Sequence, residues 1–299
     1  METGAISLED VPGALDLQAT LESGQTFRWT RADGETYRSG LPRGGTEWYR
    51  GIVDGTPVAI RQTDAAIEWR APEDPTAGLV RRLRLDPEMA TMIGSLPDQE
   101  PIQAARRAFE GLRVVAEPFF PTLISFVLSA QMRVERIHDL VQALSRRYGT
   151  AHDLDGTTVH GFPEPAALAA ATEEDLRDVG LGYRAPYVRE TAAMVASGDR
   201  TATDLLGLDY EAAREAATGF VGVGEKVADC VLLFSLRYAE PVPLDTWITG
   251  AIESHFPAAA RDTYAETSRA IRARFGPYPG VTQTYVFHYL RHREALQTE

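Results

Sequence analysis

The chain has 299 residues, 44% of them hydrophobic, which is enough for one large domain or two ordinary ones and excludes a disordered protein. Its single cysteine, Cys230, excludes a disulfide framework and an iron–sulfur cluster, and there is neither an apolar run of roughly 20 residues nor a secretory signal. A net charge of −13 argues against a nucleic-acid partner only at low salt, because an acidic, lysine-poor chain suggests a salt-rich cytoplasm where charge steering is screened. We therefore expect a soluble cytoplasmic protein of a halophilic cell.

The first part of the chain predicts antiparallel β-structure between about Leu15 and Ala71. Short alternating segments flank two dipeptides that favour hairpin turns, Asp33-Gly34 and Asp54-Gly55. The expected strands are residues 27–30, 35–38, 48–53, 58–61 and 67–70. Such alternation is typical of a sheet with one buried and one polar face.

The chain after Pro118 is predicted to be almost wholly helical, because its apolar residues recur with a period near 3.6. The expected helices cover residues 122–129, 134–148, 165–170, 173–179, 184–196, 210–217, 225–236, 246–255, 263–275 and 283–293. The predicted fold class is α+β. An N-terminal antiparallel sheet domain with flanking helices would cover residues 1–117, and an all-helical domain would cover residues 118–299.

A glycine-rich turn joins two of the predicted helices and leads to the only lysine of the chain, Lys226. Gly222 and Gly224 would let the backbone approach a phosphate, which the free N–H groups of the next helix can bind. Lysine can act as an amine nucleophile where arginine stays protonated, and the positive end of a helix disfavours a cation. A tight turn without a ligand and a stray surface lysine stay open as alternatives.

An acidic residue, Asp245, begins a predicted helix nineteen residues after Lys226. An aspartate in this position often does no more than cap the helix. It can also stabilise a positive charge that develops on a substrate, or accept a proton. The combination of a hairpin lysine with this carboxylate favours the catalytic interpretation.

These segments resemble the helix–hairpin–helix DNA glycosylases and, within that superfamily, the 8-oxoguanine DNA glycosylases. Six similar stretches follow one another in the order of that family. They are residues 21–29, 124–137, 181–185, 222–229, 242–245 and 276–287. The resemblance implies a sheet domain followed by a helical domain with the active cleft between helical subdomains. It also implies a monomeric enzyme that acts on double-stranded DNA containing oxidised guanine.

The resemblance assigns the chemistry to two residues, with Lys226 as the nucleophile and Asp245 as the catalytic carboxylate. It implies a bifunctional glycosylase and AP lyase that forms a Schiff base and requires no cofactor or catalytic metal. Backbone carbonyls of the hairpin at Gly222 and Gly224 could hold a structural monovalent or divalent cation. A monofunctional alkylpurine glycosylase, which lacks the lysine, and a non-catalytic protein that binds damaged DNA are the alternatives.

Four further residues would bind the damaged base. By resemblance, the Gly24 carbonyl accepts the N7 hydrogen that distinguishes 8-oxoguanine from guanine, whose N7 is an acceptor. Gln283 would read the pairing edge of the base, and Cys230 and Phe287 would enclose its ring. Three of the four have a simpler explanation, since Gly24 would suit a turn and the side chains of Cys230 and Phe287 would suit core packing.

Another group would bind the opposite strand. Arg136 and Arg184 would bond to the cytosine left unpaired, Gln131 would fill the vacated space, and Tyr183 would wedge beside it. The arginines and Tyr183 could instead be solvated residues at helix ends. Gln131 stands where the family usually has asparagine and Trp247 where it usually has histidine, which changes how the space is filled and which DNA contacts Trp247 can make.

Overall fold

The N-terminal part of the chain forms one antiparallel sheet in the computed structural model, which describes residues 1–298. Its strands are β1 (Glu2–Ser7), β2 (Thr30–Arg31), β3 (Tyr49–Val53), β4 (Thr56–Gln62) and β5 (Ala66–Ala71). They lie in the order β1-β5-β4-β3-β2, and Ile60 pairs with Tyr49 on one side and with Trp69 on the other. These three side chains are buried in one core with apolar residues of the short helices α1 (Leu17–Leu21) and α2 (Thr76–Arg82).

One of the two predicted hairpins is confirmed and the other is wrong. The turn at Asp54-Gly55 joins β3 to β4 as expected, but residues 35–38 form turns, and β2 pairs with β3 instead. The reason lies in Tyr37, which has a positive φ of 63° and donates from its backbone N–H to the Glu22 carboxylate at 2.8 Å. This contact holds the segment against the end of α1 in place of a strand. Strand β1 and helices α1 and α2 were not predicted from the sequence.

The rest of the chain is mainly helical, and the α+β fold class is confirmed. The helices are α3 (Pro87–Gly94), α4 (Ile102–Ala108), α5 (Phe119–Leu128), α6 (Val134–Tyr148), α7 (Pro165–Ala170), α8 (Glu173–Asp178), α9 (Ala185–Ser197), α10 (Tyr210–Ala217), α11 (Glu225–Phe234), α12 (Thr246–His255), α13 (Tyr264–Arg272), α14 (Pro279–Arg291) and α15 (Arg293–Leu296). No helix within residues 1–298 has the length and apolar composition needed to cross a membrane.

The predicted bounds of α6, α7, α10 and α12 match the structure residue for residue. Helix α14 begins four residues earlier than expected, at Pro279, because proline suits the first turn of a helix. A hairpin of β6 (Ala151–Leu154) and β7 (Thr157–His160) interrupts the region that was predicted to be helical. Its turn, Asp155-Gly156, carries the same dipeptide signal as the hairpin that was predicted correctly.

A second core, separate from that of the sheet, joins the N-terminal segment to the helices. The ring of Phe27 meets the ring of Phe126 edge to face at 5.9 Å, and Phe126 stacks on Phe234 at 5.6 Å. Helices α3 and α4 also contribute to this core, although they precede the domain boundary predicted near residue 117, which stays a prediction. The loop around Phe27 is therefore packed against α5, which in turn stacks on α11.

The buried Glu117 fixes the same loop through hydrogen bonds. Its carboxylate accepts from the Thr26 hydroxyl at 3.0 Å, the Arg28 guanidinium at 2.9 Å and the Trp29 indole N–H at 3.3 Å. Burial acts to raise the pKa of Glu117, but the charges of Arg28 and Arg82 outweigh it and hold that pKa below its usual value. Because the ionised Glu117 carboxylate holds Thr26, Arg28 and Trp29 in place, the residues that directly precede Thr26 in the chain have little conformational freedom.

Buried imidazoles make the stability of the protein depend on pH. Burial lowers the pKa of His288 well below its usual value, and its ring packs 4.1 Å from that of Phe109. Below about pH 6.5 the imidazole of His288 is protonated in the unfolded chain but stays neutral in the folded chain. The folded state therefore has its full stability above pH 6.5 and loses stability as the pH falls. Between pH 6.5 and 5, the unfolding free energy of His288→Phe should therefore decrease by about 1.5 kcal/mol less than that of the wild type. Denaturant unfolding at several pH values measures it.

The matched control for this prediction is His255→Gln, since His255 lies exposed at the end of α12. Comparing each variant with the wild type at every pH cancels the titration of all other groups. An identical pH dependence in the wild type and the His288→Phe variant would contradict the prediction.

Candidate active site

A cleft of about 1110 Å³ opens between the loop that holds Phe27, the loop after α5, and helices α11 and α14. Both predicted catalytic residues and all four predicted base-binding residues line it, together with Trp247. These residues are Gly24, Lys226, Cys230, Asp245, Trp247, Gln283 and Phe287. The cleft is large enough for a purine nucleoside.

Lys226 is held at the start of α11 with its amine inside the cleft. Gly224 caps this helix in an extended conformation, so Lys226 is its second residue. The Lys226 amine donates to Ser129 Oγ at 3.0 Å and lies 5.3 Å from the centre of the Phe126 ring. Ser129 ends α5, and nothing in the sequence marked it. The lysine is thus anchored in the cleft, which argues against a stray surface residue.

Cys230 lies one helical turn after Lys226 and is buried. Burial raises the pKa of its thiol to about 12, although the nearby charge of Lys226 opposes the shift. The thiol is therefore neutral at physiological pH. A neutral, polarisable sulfur suits contact with the face of a ring better than nucleophilic attack.

Asp245 both caps a helix and faces the cleft, so its two alternative roles are compatible. Its Oδ1 accepts the Ile248 N–H at 2.9 Å at the start of α12. Burial raises the pKa of its carboxyl, while the Ile248 N–H and the charge of Lys226 oppose the shift. This carboxylate is thus partly desolvated and lies near the only lysine.

A buried hydrogen-bond chain connects α11 to the loop that carries Asp245. Tyr264 on α13 donates from its hydroxyl to the Asp229 carboxylate at 2.7 Å and accepts the Leu244 N–H at 3.1 Å. Asp229 also accepts from the Tyr210 hydroxyl at 2.7 Å, and burial raises the pKa of Asp229 to about 6. Since Leu244 directly precedes Asp245, this chain positions the carboxylate relative to the lysine helix. No sequence motif signalled Tyr264.

The predicted base-binding residues meet at one end of the cleft. Gly24 has a φ of +89°, and a Cβ atom placed on it would lie 3.3 Å from the ring of Phe287 and 3.3 Å from Val134. Within residues 1–298, its carbonyl oxygen accepts no hydrogen bond. Gln283 is 4% exposed and lies one turn before Phe287 on α14. The positive φ and the close approach both favour glycine, which goes beyond a simple turn role.

The residues predicted for the opposite strand gather around the loop at Gln131. Gln131 is exposed with a φ of +53°, between two residues that line the cleft. The Arg184 guanidinium donates to the Ala130 carbonyl and lies 4.3 Å from the ring centre of Tyr183, which is 59% exposed. Arg136 reaches the same place, since its Nη2 lies 2.9 Å from a Cβ atom placed on Gly180, in the turn before Tyr183. These residues lie at the edge of the cleft, outside its lining.

The glycine-rich hairpin lies beside α9. Gly222 has a φ of +77°, and a Cβ atom there would come within 2.8 Å of Tyr187. The Val221 carbonyl accepts from the Thr191 hydroxyl at 2.5 Å, but the carbonyls of Gly222 and Val223 accept no hydrogen bond from the described residues. Carbonyl oxygens are ligands that hard cations prefer, so this donor set fits a cation. The structure has no cluster of three or more His, Cys, Asp or Glu side chains arranged for a metal within residues 1–298.

Two family models match the chain. Residues 8–123 match the 8-oxoguanine DNA glycosylase N-terminal domain. Residues 124–277, which hold the hairpin, Lys226 and Asp245, match the HhH-GPD superfamily base excision DNA repair proteins. The chain belongs to the HhH-GPD superfamily. The cleft just described is therefore the candidate active site of an HhH-GPD protein.

Relatives of this HhH-GPD protein are similar over nearly its whole length. A probable N-glycosylase/DNA lyase of Methanothermobacter thermautotrophicus is 29% identical, over 93% of this chain and 94% of the relative. The N-glycosylase/DNA lyase OGG1 of Arabidopsis thaliana is 28% identical, over 91% of this chain and 76% of the relative. A solved structure of Clostridium acetobutylicum 8-oxoguanine glycosylase/lyase, in complex with dsDNA containing cytosine opposite to 8-oxoG, is 24% identical with a TM-score of 0.80. That match covers 94% of this chain and 93% of the other.

One further residue that lines the cleft, Arg291, was not predicted from the sequence. Its side chain is 11% exposed, and its Nη2 lies 3.9 Å from the Glu135 carboxylate. Burial lowers the pKa of its guanidinium, while the negative charges of Glu135, Glu22 and Asp245 act in the opposite direction. Arginines are common at the C-terminal end of a helix, where the helix dipole favours a positive charge, so the sequence alone did not single out Arg291.

Proposed function

We propose that this HhH-GPD protein is a bifunctional 8-oxoguanine DNA glycosylase and AP lyase that acts on double-stranded DNA. The observation that carries the proposal is the only lysine of the chain, anchored by Ser129 in the cleft that also holds Asp245. The match to the 8-oxoguanine DNA glycosylase N-terminal domain and the relatives named N-glycosylase/DNA lyase support the same activity.

The cleft is suited to a reaction at the sugar of a base that has left the duplex. Extrusion of the damaged nucleotide costs a few kcal/mol. Once it has given up its proton, the amine of Lys226 attacks C1′, forming a C–N bond while the base leaves with the electron pair of its glycosidic bond. Asp245 stabilises the positive charge that develops on the sugar. Loss of a proton and ring opening give an imine, and β-elimination then breaks the bond to the 3′ phosphate.

These steps use protein side chains alone, so we propose that the reaction needs no cofactor. A cation bound by the free carbonyls of Gly222 and Val223 would help the hairpin to bind DNA phosphates, and it would take no part in the reaction.

One experiment separates this function from both alternatives. The protein is incubated with a duplex that contains 8-oxoguanine opposite cytosine, with and without borohydride, and both base release and covalent adduct are measured. We expect both. Base release without an adduct would indicate a monofunctional glycosylase, and binding without either product would indicate a protein that only recognises damage.

We expect cytosine to be the preferred partner of the lesion, read by Arg136, which lies against Gly180, and by Arg184, which donates to Ala130 at the cleft edge. Guanidinium groups can donate to the carbonyl and ring nitrogen of cytosine, and adenine offers no equivalent pair of acceptors. Each good base contact is worth roughly 1–3 kcal/mol. Loss of both contacts predicts excision opposite adenine that is slower by about one to several decades. Single-turnover rates opposite C, A, G and T at several salt concentrations measure this.

Arg184→Ala tests the same prediction from the protein side and should reduce the preference for cytosine. Arg177→Ala is the matched control, since Arg177 is exposed on α8 and pairs with Glu173 at 2.6 Å. Equal wild-type rates opposite all four bases would contradict the assignment. So would an Arg184→Ala variant that slows every pair by one factor, because that pattern indicates phosphate contact.

A further inference from the structure

Three residues form a stripe along α14 that faces the cleft. Gln283, Phe287 and Arg291 follow one another at intervals of four residues, and all three line the cleft. Residues at this spacing lie on one face of a helix, one turn above another. The first two are the residues expected to contact the pairing edge and the ring of the damaged base. Arg291 continues the row beyond the ring.

The guanidinium of Arg291 lacks a hydrogen-bond partner. It makes no hydrogen bond to any residue within 1–298, and its Nη1 is a buried donor without an acceptor. Its ion pair with Glu135, at 3.9 Å, is longer than a hydrogen bond. Buried donors are nearly always paired, and leaving one unpaired is costly. An arginine that is 11% exposed and lines a substrate cleft therefore calls for an acceptor on the ligand.

Gly24 lies between the ring and this guanidinium. A Cβ atom placed on Gly24 would be 3.3 Å from Phe287 Cε1 and 3.6 Å from Arg291 Nη1. The backbone carbonyl that would accept the N7 hydrogen therefore belongs to a residue close to both side chains. A residue that offers an acceptor and a side chain that offers a donor are thus neighbours at this end of the cleft.

We infer that Arg291 determines lesion specificity by donating a hydrogen bond to O8 of 8-oxoguanine. This inference rests on the proposed function. With the pairing edge at Gln283 and the ring on Phe287, the imidazole edge of a bound purine would point along α14 towards Arg291, the next residue of this row that lines the cleft. That edge carries the two features that distinguish the lesion from guanine, the N7 hydrogen and the O8 carbonyl. Gly24 accepts from the first and Arg291 donates to the second, so both are read together.

The test combines a protein variant with a change of one lesion atom. Arg291→Met keeps a long apolar side chain but has no donor, and 8-thioguanine keeps the N7 hydrogen but presents a sulfur, which is a weak acceptor. We expect Arg291→Met to slow single-turnover excision of 8-oxoguanine by about 10- to 100-fold and that of 8-thioguanine by less than about 3-fold. The larger size of sulfur affects both proteins equally, so it cancels in the double comparison.

A control lesion tests whether the effect is local to O8. 8-Oxoinosine lacks the exocyclic amine at the pairing edge but retains O8, so Arg291→Met should slow its excision by the same factor as that of 8-oxoguanine. Arg291→Lys retains a charged donor. It should therefore recover part of the wild-type preference for 8-oxoguanine over 8-thioguanine. Thermal unfolding and affinity for a duplex with an abasic-site analogue establish that each variant is folded and binds DNA.

Several outcomes would overturn the inference. One is an Arg291→Met variant that slows all three lesions by a single factor, which would indicate a structural role or a general effect of charge. Another is a wild type that excises 8-oxoguanine and 8-thioguanine equally fast, a comparison that needs no variant. A wild type that releases no 8-oxoguanine at all would instead contradict the proposed function.

Discussion

Replacing Lys226 with glutamine should abolish base release and covalent trapping together. The chain has no second lysine that could form the imine, and the amine lies within the cleft, 3.0 Å from Ser129 Oγ. Glutamine can still donate to Ser129, so the local packing changes little while the nucleophile disappears. Removal of a catalytic nucleophile typically costs about 10⁴-fold or more in rate. Single-turnover strand cleavage and borohydride trapping measure the two losses separately.

A second variant distinguishes nucleophilicity from charge. Lys226→Arg retains a cation at the start of α11, but arginine stays protonated and cannot form the imine. It should bind the lesion duplex and still be inactive. Ser129→Ala is the matched control, because it removes the hydrogen-bond partner and leaves the amine in place, and we expect it to retain trapping. If either Lys226 variant still forms an adduct with DNA, Lys226 is not the nucleophile.

Features with a strong local signal could be predicted from the sequence. Helix α6 was predicted residue for residue because its apolar period is strong and Gly149 ends it. The hairpin at Asp54-Gly55 was predicted because the dipeptide and both flanking strands agree. Residues 35–38 carry a similar signal, but tertiary contacts of Tyr37 with Glu22 outweigh it.

The residues of the candidate site also fall into two groups, those that the sequence signals and those that only the folded structure reveals. Lys226 could be found because it is the only lysine and stands at a helix start, and Asp245 because it begins a helix nineteen residues after that lysine. Resemblance supplied the base-binding residues. Tyr264 and Arg291 could not be found, since their importance comes from neighbours that are distant in the sequence. A tyrosine that bonds to a backbone N–H twenty residues away, and an arginine with a buried N–H group that lacks an acceptor, are recognisable only once the chain is folded.

Changing Asp245 to asparagine should separate its catalytic role from its structural one. Asparagine can still accept the Ile248 N–H that Asp245 binds at 2.9 Å, so α12 keeps its cap. The unfolding free energy should therefore change by less than about 0.5 kcal/mol, and affinity for the lesion duplex should remain largely intact. The variant lacks only the negative charge beside the sugar, and we expect excision to slow by about three orders of magnitude.

The pH dependence of excision gives an independent test of the same carboxylate. Burial raises the pKa of Asp245, so the ionised form is lost at a higher pH than for an exposed aspartate. Wild-type excision should therefore fall on the acid side as pH drops through this raised pKa, and the residual rate of Asp245→Asn should lack that limb. Single-turnover rates of both proteins across the acid range measure the difference. A loss of only a few-fold in Asp245→Asn, with the acid limb retained, would mean that Asp245 is a helix cap and that another group stabilises the charge on the sugar.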